Sequence, residues 1–151
     1  MKLGRYVAIG LIAVSVSVGG ATAANASSYP ASMYDGVHVC TGQHYSHSNV
    51  VCTRDDLHMT DGQLSNARLA WAAKGDTFTS TTNTIIVSRV NRDGSYSEVG
   101  RMQYDQSLSG GLAAVGLAAV FEATGASGPG KYMIEVDDGQ TLIGTRTFTF
   151  V

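Results

Sequence analysis

The sequence predicts an all-β fold, an antiparallel β-sandwich preceded by a disulfide-closed β-hairpin. Three observations carry this. The stretch from Gly128 to Val151 holds two alternating apolar runs joined through Asp138-Gly139: Tyr132, Ile134 and Val136 share one parity and Phe148 and Phe150 another, the signature of a hairpin with one buried face. Thr77 to Val90 is dense in Thr, Ile and Val, residues that pack well on a pleated surface. Charged residues make up only 15% of the 151 and glycine supplies 18, a balance that suits a turn-rich β domain better than a helical bundle.

The first 26 residues stand apart from that domain. Lys2 and Arg5 precede an apolar run from Tyr6 to Val18, then small residues and Ala24-Asn25-Ala26, the order of a secretory signal peptide cut after Ala26, with Ala21-Thr22-Ala23 as a second cleavage site. The run is shorter than the roughly 20 residues a bilayer requires. The first cysteine is Cys40, far from the cut, which argues against a lipid-anchored start. The expectation is a secreted or periplasmic chain with no membrane span after cleavage. Without Lys2 and Arg5, eight basic residues face twelve acidic ones, a formal charge of −4. That balance, with no basic run, argues against a nucleic acid partner.

Residues 27–36 read as a flexible start, broken by Pro30 and Asp35-Gly36. Residues 37–66 read as a hairpin and its connection: Val37 to Cys40 and Val50 to Cys52 flank the polar loop TGQHYSHSN, placing Cys40 opposite Cys52. In an exported chain two cysteines default to a disulfide, which would stabilise by about 3 kcal/mol for a loop of that size. Thr53 to Asn66 is polar, with room for a short helical turn. Residues 67–151 read as the sandwich. Leu69, Trp71 and Ala73 alternate as a strand, although Leu64, Arg68 and Trp71 also fit one helical face. Gly75-Asp76 turns the chain into a central strand, Thr84 to Val90, apolar on both parities. Asn91 to Gly94 turns it again into Tyr96 to Tyr104, with Tyr96, Met102 and Tyr104 on one parity. Leu112 to Phe121 is apolar throughout; Gly116, which weakens a helix by about 1 kcal/mol, and the flanking hairpins favour a strand. The expected core joins Trp71, Ile86, Tyr132, Ile134, Val136, Phe148 and Phe150. Asp-Gly at the last turn supplies the positive φ of a two-residue type I′ loop.

With this order established, Gly75 to Val90, the run into Val120-Phe121-Glu122, Gly128 to Leu142 and the terminal Phe-Thr-Phe-Val resemble the immunoglobulin-like sandwiches of bacterial secreted proteins, over Ala67 to Val151. Pro129-Gly130-Lys131-Tyr132 before a strand is similar to their tyrosine corner. Unlike antibody domains, the chain has no cysteine pair bracketing the sandwich. The resemblance implies an architecture and no ligand.

Chemistry-bearing residues cluster once. All four histidines, His38, His44, His47 and His58, lie near both cysteines and Met59. A copper or zinc site would need three of them to converge, and nothing in Thr53 to Leu57 demands the required fold-back, so the expectation is no metal and no cofactor. Cys52, His58 and Met59 resemble a cupredoxin ligand set only superficially. His44, Tyr45 and His47 form a candidate recognition loop. No G-x-S-x-G elbow or phosphate loop is present, so no catalytic residue is assigned and an enzyme is not expected. Asp55-Asp56 and Asp137-Asp138 read as turn residues, and the calcium-loop pattern is incomplete. Trp71 reads as a core anchor. The functional expectation is an exported non-enzymatic binding protein that presents loops to a protein or glycan partner. The alternatives are a periplasmic copper- or zinc-binding protein using the histidine loop and a small inhibitor of an extracellular enzyme.

Overall fold

A computed structural model of the chain describes residues 36–46, 49–55, 58–74, 77–106 and 111–151, with the backbone alone at 42–46 and 49–55. The expected signal peptide and residues 27–35 lie outside the described residues, as does His47. Alternating apolar residues build two sheets. Strands β1 (Val37–Ser46), β2 (Asn49–Asp55), β4 (Arg68–Ala72) and β7 (Leu112–Gly116) form a four-stranded sheet in the order β2-β1-β4-β7. Strands β3 (His58–Met59), β5 (Thr82–Val90), β6 (Tyr96–Asp105), β8 (Gly130–Asp138) and β9 (Thr141–Phe150) form a five-stranded sheet in the order β3-β9-β8-β5-β6. All described pairings are antiparallel except β3 with β9, which runs parallel.

The inward faces of the two sheets meet in one core. Val37, Val39, Leu69, Trp71, Ala113 and Val115 come from the first sheet; Ile85, Val87, Met102, Tyr104, Tyr132, Ile134, Val136, Phe148 and Phe150 come from the second. Trp71 and Tyr104 meet edge to face with ring centres 5.0 Å apart, the arrangement favoured by the aromatic quadrupole. Phe121 packs its ring 5.0 Å from Tyr132 and 6.0 Å from Phe148.

Several expectations need correction. The boundary at residue 66 is not a break in the fold, because β1 hydrogen-bonds to β4 and β3 to β9, while Val37, Val39 and Met59 lie in the shared core. Cys40 does not stand opposite Cys52: β1 runs on to Ser46, two irregularities follow Cys40, and the register pairs Cys52 with Gln43 and Cys40 with Asp55. Polar composition suggested a loop where the backbone is extended. Ile86 faces outward and is only half-buried, while Ile85 and Val87 point into the core; with both parities apolar, alternation alone does not choose between them. Tyr96 is exposed although Met102 and Tyr104 are buried. A bulge shifts the register from Val87↔Gly100 to Ser88↔Glu98, so the extra residue Val99 breaks the parity.

The largest correction concerns Leu112 to Phe121. Only Leu112–Gly116 is strand; Leu117–Thr124 is helix α2, following the single-turn helix α1 (Asp61–Leu64) in chain order. Leu117, Val120, Phe121 and Thr124 are its buried residues, the i, i+3, i+4, i+7 spacing of an amphipathic helix. Gly116 serves as an extended N-cap and Gly125, at φ 74°, as the left-handed C-cap. The helix packs its C-terminal turn against β6 at Gly100, where an added methyl would overlap the Thr124 carbonyl oxygen. The final turn is displaced by one residue. Asp138 pairs with Thr141, so the two-residue loop is Gly139-Gln140, with Gly139 at φ 63°.

Candidate functional site

Each end of the sandwich has loop backbone held by side chains from the sheets. At one end, the displaced turn makes Asp138 the last paired residue of β8, between Asn83 of β5 and Thr141 of β9. Its carboxylate is turned inward and the residue is only 6% exposed. Oδ2 accepts hydrogen bonds from the Thr79 amide (2.6 Å) and hydroxyl (2.8 Å), and Oδ1 from the Ser80 amide (2.8 Å) and the Asn83 side-chain amide (3.3 Å). The Asn83 oxygen in turn accepts from the Trp71 indole N–H at 2.7 Å. A chain of polar contacts therefore runs from the core indole to the segment 77–81 that connects the sheets. A buried carboxylate requires such donors, because burial without them is costly. Gln106 adds a backbone bond to the Thr81 carbonyl at 3.1 Å.

At the opposite end, the Tyr132 hydroxyl lies 2.7 Å from the Ser127 carbonyl and 2.8 Å from that of Gly128, both of which can accept its proton. Arg89 donates to the Ser127 and Pro129 carbonyls and to the Tyr132 hydroxyl, with its guanidinium carbon 5.0 Å from the centre of the Tyr132 ring. That is the geometry expected of a tyrosine corner, with the hydroxyl reaching back along the chain just before a strand. A hydrogen-bonded β-turn at the same end, Asn91 to Ser95, is tied by Asp93, whose carboxylate accepts from the Ser95 hydroxyl and amide and is held below its ordinary titration range by those bonds.

The described histidines are spread over both sheets. His38 lies on β1 opposite Ala70, His44 on β1 opposite Val51 with Tyr45 opposite Val50, and His58 is exposed on β3, opposite Thr149 in the other sheet. Met59 is buried in the core. Among the described residues, no group of three His, Cys, Asp or Glu side chains is placed to hold a metal ion. The expected recognition loop is thus partly strand, and its His47 falls outside the described residues. Trp71 is a core anchor, as expected. Asp137 and Asp138 are not exposed turn residues: both are buried members of β8. The Asp138 anchor corresponds to no motif in the sequence, yet one signal for it is present. Asn83 shares the parity of the core residues Ile85 and Val87, and a polar residue at that position implies a buried partner.

A comparison with known protein families matches none of them, and a comparison with curated proteins finds no similar sequence. Among solved structures, the chain is similar in fold to an immunoglobulin-like protein from Pseudomonas aeruginosa, 14% identical, with a TM-score of 0.40 over 76% of this chain and 96% of that one.

Proposed function

We propose that this chain is an exported, non-enzymatic binding protein built on an immunoglobulin-like sandwich, presenting the loops at one of its ends to a macromolecular partner. The observation that carries this reading is the anchoring of loop backbone by buried side chains, Asp138 at one end and Tyr132 at the other. Loops fixed in advance lose little freedom on binding, which favours affinity. The immunoglobulin-like assignment is supported by two packed antiparallel sheets and by a tyrosine corner in the turn from α2 into β8, the place it takes in that architecture. The signal-like start supports export, and with it a Cys40–Cys52 disulfide. Cys40 is fully buried, and the two cysteines lie on hydrogen-bonded neighbouring strands.

Affinity capture from culture fluid and envelope extract of the source cells, using the folded chain as bait and the heat-unfolded chain as control, tests the reading. A partner retained by the folded chain alone is expected; equal recovery on both baits would refute it.

A further inference from the structure

We infer that the outer face of the four-stranded sheet is a docking face for the chain's own residues 27–35, which lie across it as a strap; this rests on the export proposed above, with its cut after Ala26. On that face Ala70 stands opposite Ala114 and Ala72 opposite Leu112, turned away from the core residues Leu69, Trp71, Ala113 and Val115. Outward positions of a two-layer sandwich should meet solvent. These four do not: Ala70 is 0% exposed, Ala72 3%, Leu112 6% and Ala114 8%. Leu112 and Ala114 belong to β7, the edge strand, whose own sheet flanks it on one side only. The burial is that of a single chain, so the cover is part of the chain itself.

Elimination points to the N-terminal stretch. Both described helices serve the core side, α1 through Leu64 and α2 through Leu117, Val120 and Phe121. Past Cys40, which stands opposite Arg68, β1 and β2 run away from Ala72 and Leu112. Residues 107–110 carry the chain from β6 in one sheet to β7 in the other, about 10 Å away, which leaves no length to spread over β4. Residues 27–35 join β1 directly through Gly36. Nine residues in extended form reach about 30 Å, whereas β7 lies two strand spacings from β1, about 10 Å. Shape agrees as well. Alanines leave a shallow floor, and the segment reads Ser-Ser-Tyr-Pro-Ala-Ser-Met-Tyr-Asp, so that Tyr29 and Met33 share one side of an extended chain and supply the bulk the floor lacks. Such a strap shields an apolar face beside an edge strand, a combination that otherwise invites pairing with other chains.

The experiment places a photo-crosslinking amino acid at Met33 in one full-length chain and at Leu11 in another, expresses both in the source cells, irradiates the product and maps its N-terminus and internal crosslinks by peptide mass spectrometry. The expected result is a chain that begins at Ser27, with crosslinks from position 33 to peptides of β4 or β7 that are lost when irradiation is done in unfolding urea. A chain that begins at Ser27 but shows no such crosslink, or one confined to the β1–β2 hairpin, would overturn the strap and leave export standing. A chain that keeps residues 1–26 and crosslinks from position 11 to β4 or β7 would assign the cover to the apolar run and overturn both the strap and the export it rests on.

Discussion

Asp138 illustrates how a single polar residue can organise a loop. With its four hydrogen bonds satisfied, the carboxylate joins two strands and a connection that lie some 55 to 59 residues apart in the chain. Asp138→Ala leaves two backbone amides of the 77–81 segment without their acceptor and the Asn83 amide short of one. The expected loss is about 2–4 kcal/mol in urea unfolding, less than for three fully buried groups because the Thr79 and Ser80 amides are only partly buried and water can reach them. Accelerated amide exchange at Thr79 and Ser80 should accompany it, and unchanged exchange there would show that the carboxylate does not hold the loop. Tyr104 gives a pH signature. Burial pushes its phenol above the ordinary value near 10, with Asp105 adding to the shift and Arg68 opposing it. Because the folded state favours the neutral phenol, this contribution is complete below about pH 10 and is lost as pH rises through the higher folded value. Urea midpoints measured from pH 8 upward should hold level for this group until about pH 10 and then fall. In Tyr104→Phe the fall should be shallower, and an identical decline in both proteins would assign the effect elsewhere.

At the scale of elements, the strands were legible where one parity was apolar and the other polar, as in β8 and the end of β9. They were ambiguous where both parities were apolar. Leu112 to Phe121 is apolar throughout, so neither period stands out, and Gly116 with the flanking hairpins favours a strand across the whole run, where the structure has a helix from Leu117. The distinguishing residues lie just beyond the run: buried Thr124 extends the helical spacing and Gly125 closes it. Two substitutions test the helix. Gly125→Ala must take φ 74° with a Cβ and should cost about 1–2 kcal/mol. Gly100→Ala should cost about 1–3 kcal/mol, because the new methyl meets backbone at Thr124 rather than a flexible side chain. A neutral Gly100→Ala in thermal melts would mean that α2 does not sit against β6. The misplaced turn has a similar origin. Asp138-Gly139 is the preferred type I′ pair, but a register shift between Val136 and Asp137 moves the pairing, with Ile143 as the extra residue, and Asp138 is drawn into the ladder by its buried hydrogen bonds.

At the scale of the molecule, the two-sheet architecture and most of its core could be read from sequence, because burial imposes a period that composition alone cannot mimic. Phe148→Ala should cost about 3–5 kcal/mol, the range for emptying a buried aromatic site, and a loss below about 1 kcal/mol in denaturant melts would exclude β9 as a core strand. The candidate site was less legible. The histidines drew notice by residue type, whereas the loop anchor is made of Asn, Asp, Thr and Ser, residues common in any turn. Its meaning comes from strands distant in the chain, and no local pattern encodes that.

The parallel pairing of β3 with β9 has a consequence for how the protein is made. β9 follows every other strand in chain order, yet it sits inside its sheet, with β3 on one side and β8 on the other. A chain emerging residue by residue, as domains do during synthesis, therefore holds Met59 and Tyr132 without their β9 partners until Phe148 and Phe150 arrive. The β5–β6 hairpin can form early, but the five-stranded sheet is completed only once residues 141–150 have left the ribosome. Until then the nascent polypeptide exposes the edges of both strands that β9 will cover, an interval in which a chaperone or a translocation machine would meet an unfinished chain.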